Sequence, residues 1–255
     1  MNNATDYPLL VFVLSLFGLS LSALIGASFL MKQRKLEKEV REDYGVILAA
    51  TLTLLGLIIG FTFSMAVSRY DQRKNYEAAE ANAIGTEYVR ADLLPAADAA
   101  KVRALLRNYL DQRVLFYMAR DEQQIRQINA RTAQLQTELW SAVLAPAEAQ
   151  PTPPVALAVS GMNDVLNSQG YTQAAWWNRI PTSAWVLMAA IAICCNVLIG
   201  YCAQNVKAEG VLLLILPFIV TIAFFLIADM DSPCGGVIRV NPQNLASLVE
   251  SLGAH

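Results

Sequence analysis

The chain has 255 residues, 55% of them hydrophobic and only 16% charged, and its mean hydropathy is positive at +0.39. A soluble domain carries about 25% charged residues, so an ordinary water-soluble globule is excluded as the frame. The formal net charge is −2, which gives no electrostatic footprint for nucleic acid.

In chain order, the first element is an apolar segment over residues 8–31. It lacks a basic leader, exceeds the length of a signal-peptide core and shows no small-residue cleavage site, so it reads as a retained transmembrane helix. Gly18, Ser22 and Gly26 recur every fourth residue along it and suggest a close helix-packing face. The short loop "KQRKLEKEVRED" follows, with Lys32, Arg34, Lys35, Lys38 and Arg41. A second apolar segment covers 44–68, and two more cover 183–203 and 210–228, joined by "QNVKAEG". None of the four contains a charged residue, and each is long enough for about 30 Å of hydrocarbon.

The second span carries on past the bilayer. From Leu54 to about Leu94 there is no proline, so one helix leaves the membrane without a stop. Wound at about 100° per residue, Leu57, Phe61, Ser64 and Ser68 share a stripe with Thr53 at its edge. A second stripe holds Arg69, Arg73, Glu77, Glu80, Ile84 and Glu87. An ordinary reading of that stripe is a solvated face with weak salt bridges. Because the helix is continuous with a span, an ion path with a charged vestibule is the sharper reading.

Beyond it, apolar residues at helical spacing (Val102, Leu105, Leu106, Tyr109, Leu110, Val114) make the polar insert helical. Leu94-Pro95 interrupts it, and the four prolines of "LAPAEAQPTPPVA" are expected to end the long helix. A further short helix is expected from Val155 to about Gly170. Trp176, Trp177, Trp185 and Arg179 suit a membrane interface. The expected organisation is a first transmembrane hairpin over 1–68, a helical extramembrane domain over 69–181, a second hairpin over 182–229 and a C-terminal tail over 230–255. The fold class is an all-α integral membrane protein of four transmembrane helices.

Little here supports enzymatic chemistry. The single histidine is His255, the last residue, and there is no CxxC, HExxH, P-loop or dinucleotide turn. Cys194, Cys195, Cys202 and Cys234 read as free thiols rather than a disulfide framework. Asp229 and Asp231 fit a helix end as well as any site. No catalytic residue, metal or cofactor is expected.

"GFTFSMAVSRY", residues 60–70, resembles the second-span motif of bestrophin chloride channels: Gly-Phe, six residues, Ser or Thr, then Arg and an aromatic. More closely, "FTFSMAVSRYDQRKNYEAAEANAIGTEYVRADLLP" and "DMDSPCGGVIRVNPQNL" resemble the two signature blocks of the bacterial bestrophin-like family. The resemblance implies a homo-oligomer, a pentamer in the bestrophin pattern, that sits in the inner-membrane bilayer and conducts inorganic anions. It maps the apolar neck onto Thr53, Leu57 and Phe61, where polar Thr53 departs from the pattern. The helical stripes, rather than the resemblance, add Ser64 and Ser68 as polar lining and Arg69, Arg73, Glu77, Glu80 and Glu87 as a charged vestibule. No acidic cluster copies the calcium clasp of animal bestrophins.

Orientation is open between two arguments. The basic loop at 32–43 is cytoplasmic by the positive-inside rule, which puts the middle domain outside. The bestrophin resemblance implies the reverse. The alternative function is a non-conducting scaffold or sensor whose charged stripe docks a partner protein. A transporter has weaker support, since Pro217 alone breaks no span into half-helices.

Overall fold

A computed structural model describes residues 4–31, 38–203 and 206–253. Lys32, Arg34 and Lys35 of the basic loop and the terminal His255 lie outside the described residues. The described chain is helical throughout, with no strand among these residues. After a 3₁₀ turn at Ala4–Asp6 come α1 (Pro8–Met31), α2 (Lys38–Arg90), a 3₁₀ turn (Ala91–Leu93), α3 (Ala96–Met118), α4 (Glu122–Ala149), α5 (Pro153–Trp177), α6 (Thr182–Cys202), α7 (Val206–Asp231) and α8 (Gln243–Gly253).

Four of these helices have stretches long and apolar enough to cross a membrane. Their outward faces carry the large apolar residues: Leu9, Val13, Phe17 and Leu24 on α1, and Ile215, Phe218 and Ile219 on α7, are all exposed. In water such a belt is an aggregation liability, whereas in lipid it faces its own solvent.

The chain divides into two compact units. The first comprises residues 1–68 and 179–238. Its core joins Leu19 of α1, Leu55 and Ala66 of α2, Met188, Ala192 and Cys195 of α6, and Val220, Phe224 and Ile227 of α7. Helices α1 and α6 approach until backbone meets backbone. A methyl on Gly26 would run into the carbonyl of Val197, and one on Gly200 into Ala23 O and Ala27 N. Gly18, at the upper end of the expected small-residue face, has open space around it, so the close contact is confined to the Ala23–Ala27 turn.

The second unit comprises residues 69–178 and 239–255. Helices α3, α4 and α5 pack in sequence order, and α8 lies on α3. The long helical stretch expected after Pro95 is two helices, broken at Ala119–Arg120. Asp121 caps α4 by accepting the Gln124 N–H at 3.4 Å, which fixes where the second helix begins. Pro146 does not end α4, which runs to Ala149. A proline in the last turn costs one carbonyl its partner near a terminus where carbonyls are unpartnered anyway. Pro153 and Pro154 open α5, a position where a missing N–H is harmless. That helix runs to Trp177, seven residues beyond the expected end. Trp176 is buried against Phe116 (ring centroids 4.4 Å) and Tyr117 (5.9 Å), while Trp177 is exposed.

Candidate functional site: the two faces of α2

Helix α2 is 53 residues long; its residues to Ser68 belong to the first unit and those from Arg69 to the second. It begins at Lys38, six residues before the expected start of the span, and takes Arg41 of the basic loop into its first turns. No proline interrupts it.

One side of the helix is exposed along its length. Leu57 and Phe61 are 54% and 64% exposed, and Thr53, Ser64 and Ser68 share their face. The Thr53 hydroxyl donates to Ala49 O at 2.9 Å, so the polar departure from the apolar neck is satisfied inside its own helix. Continued at about 100° per residue, the same face passes through Gln72, Asn75, Ala79, Asn82, Thr86 and Val89, all exposed, within an arc of about 100°. Sequence reasoning missed this continuation, although the 3.6-residue period alone would have found it. The lower part of the stripe borders a groove shared with Asn244, Ser247 and Ser251 of α8.

The expected charged stripe occupies the opposite side and is not a wall facing water. Arg73, Glu77, Glu80 and Glu87 are buried in the helical unit, and Arg69 is half-buried. The geometry demands this: Arg73, Glu77 and Glu80 sit about 140–200° around the helix from Leu57, and Glu87 about 120°. The residues expected as a vestibule are packed inside the helical unit, where Glu77 and Glu80 serve as internal anchors.

Glu77 receives three donors: the backbone N–H of Asn244 (2.9 Å), the N–H of Leu245 (2.9 Å) and Asn244 Nδ2 (2.6 Å). Its carboxylate sits on the N-terminus of α8, where free N–H groups and the helix dipole favour an anion. Glu80 also receives three donors, from Arg113 Nε, Arg113 Nη2 (3.4 Å) and Thr172 Oγ1 (3.2 Å). The Arg113 guanidinium lies 4.4 Å from the centroid of the Phe116 ring. Burial is the largest influence on Arg113 and pulls it down, but the charge and hydrogen bond of Glu80, joined by Tyr109 and Tyr117, together outweigh it and hold the guanidinium above its ordinary value. Burial pushes the phenols of Tyr109 and Tyr117 up, with Glu80 adding to the effect. Glu87 stands apart, with no donor on either oxygen.

The signature block after α7 does structural work of another kind. Asp229 accepts the N–H groups of Val237 and Ile238, each at 2.7 Å, and folds the tail back. Asp231 accepts the Ile180 N–H at 3.2 Å, and Arg179 Nη1 donates to Asp231 O at 2.7 Å while pairing with Asp6. Gly235 and Gly236 lie where any Cβ would strike Asp6 O and Asp229 O. The arrangement knits the start of α1, the start of α6 and the end of α7, and Arg179 serves this knot. Among the described residues no group of three or more His, Cys, Asp or Glu side chains could hold a metal ion.

An all-helical chain with four membrane-capable helices, apolar outward faces and one helix that overruns its span is a multi-pass membrane protein. The family model for the Bestrophin-like domain matches residues 11–245, and the chain belongs to that family. A search of the curated proteins by sequence returned no match. Solved structures share the fold. A bacterial Bestrophin homolog from Klebsiella pneumoniae, as a tryptophan-to-alanine variant, aligns with a TM-score of 0.65 at 12% identity, covering 95% of this chain and 94% of that one. A tyrosine-to-alanine variant gives 0.65 at 12%, covering 95% and 96%. A structure of the homolog solved by Zn-SAD phasing gives 0.63 at 13%, covering 96% and 95%.

Proposed function

We propose that the chain is one subunit of a homo-oligomeric ion channel of the inner membrane, a pentamer by family resemblance, whose pore is lined by the exposed face of α2. The observation that carries this reading is the exposure of Leu57 and Phe61 on a helix whose opposite face is packed into the protein. An apolar pair followed by Ser64 and Ser68 on one face is what a dewetting constriction opening into a wetter passage requires. Thr53 lies one turn before Leu57 and completes the constriction. Membership of the Bestrophin-like family supports the same assignment.

Anion passage is the selectivity that the family resemblance supports. The neutral amides and hydroxyls of the continuing stripe place no fixed charge against it. The scaffold alternative relied on the charged stripe as a docking face, and burial of that stripe removes its motive. Likewise α7 runs unbroken through Pro217, which offers no half-helix site for a transporter.

Planar-bilayer recording of the purified protein in asymmetric salt tests the proposal. A current whose reversal potential follows the anion gradient, with conductance altered by Phe61→Ala, is expected. An electrically silent protein of confirmed oligomeric state would overturn it.

A further inference from the structure

Three buried carboxylates lie along the inner face of α2, and they are not equivalent. Glu77 and Glu80 each receive three donors. Glu87 is 0% exposed, yet neither of its carboxyl oxygens has a hydrogen-bond partner. It faces α5 at Gly161, where the absence of a side chain makes room: a methyl there would run into Glu87 Oε2 and Arg90 Nη1. The charged groups facing it are Arg90 from its own helix and Asp164 from α5. Arg90 Nη1 stands 4.0 Å from Asp164 Oδ2, so its charge is already shared with an exposed carboxylate. Arg103 of α3, which reaches the same turn, is engaged by Asp92 and by Tyr88 O.

A buried ionised carboxylate without donors pays its desolvation uncompensated, whereas the neutral acid avoids most of that penalty. We infer that Glu87 is a proton-binding site: a neutral carboxylic acid packed on Gly161 where α2 meets α5, whose ionisation draws Arg90 away from Asp164. Burial pushes this carboxyl from 4.5 up to about 8, with Arg90 pulling it down and Asp164 adding to the rise. This assignment does not rest on ion conduction and stands or falls by titration.

Infrared difference spectroscopy of the full chain in lipid nanodiscs tests it. A protonated-carboxyl carbonyl band is expected at pH 7, lost as pH rises through about 8 and missing in Glu87→Gln. A band unchanged by the substitution, or one lost near 4.5, would overturn the assignment. Carboxyl NMR of glutamate-labelled wild-type protein decides the matter even where the variant does not fold. A glutamate titrating near 8 is expected, and its absence refutes the site.

Discussion

Arg113 and Glu80 form an ion pair across 33 residues of sequence with neither side chain exposed to any degree. It is the charged centre of the helical unit, joining α2 to α3, and Thr172 brings in α5. Breaking such a pair from one side strands a buried charge.

Arg113→Met or Glu80→Leu is therefore expected to destabilise the folded chain by about 3–5 kcal/mol, and the double variant to recover much of the loss. Chemical denaturation of the detergent-solubilised protein, followed by tryptophan fluorescence, measures the double-mutant cycle. Additive losses would show that the two residues act independently.

Glu77→Gln removes the anion from the N-terminus of α8 and weakens its hold on two backbone N–H groups. A cost of about 1–2 kcal/mol, local to α8, is expected. Amide hydrogen exchange across residues 243–253 should quicken by about tenfold, with α4 unaffected.

Between α1 and α6, Gly200→Ala sets a methyl against Ala23 O and Ala27 N, which are backbone and cannot swing aside. Thermal unfolding should reveal a loss of about 1–3 kcal/mol. Gly18→Ala, where space is open, should leave stability unchanged and serves as the control.

The pH dependence of stability has a definite sign. The folded chain holds the Glu87 proton up to about 8, while the unfolded chain releases it around 4.5. Between those values the folded state binds more protons, so the Glu87 contribution to stability falls as pH rises and levels off above about 8. Melting temperature measured from pH 5 to 9 should show a downward slope in wild type that is reduced in Glu87→Gln. Equal slopes would contradict the prediction.

Within the proposed pore, Phe61→Ala should raise single-channel conductance on the order of twofold or more by opening the apolar constriction, and Phe61→Trp should lower it. Unchanged currents in both variants would place Phe61 on a lipid or subunit contact instead.

The spans were legible because uncharged apolar blocks of bilayer length admit few other readings, and so was the overrun of α2, which contains no proline. The division between α3 and α4 had a sequence signal in Asp121 followed by Gln124, an N-cap pattern overshadowed by strong periodicity on both sides. Helix α8 followed Pro242 in a segment read as tail, and its first turn is held by Glu77, 167 residues earlier in the chain. The charged stripe was read as a water-facing vestibule for the same reason. Burial of Glu80 depends on Arg113 and Thr172, and no periodicity within α2 reveals a partner on another helix. Leu57 and Phe61 could be placed on one face from spacing alone, because that face needs no partner from the same chain.

The opposition of the two faces of α2 makes it a modular helix. Residues that hold the fold together look one way, and those at 53, 57, 61, 64, 68, 75, 82 and 86 look the other. Exchanging the outward set leaves the packing of Ala66, Glu77, Glu80 and Ile84 untouched. The outward line can therefore be rewritten while the other side keeps the fold, and in the proposed pore each such change would alter the lining alone.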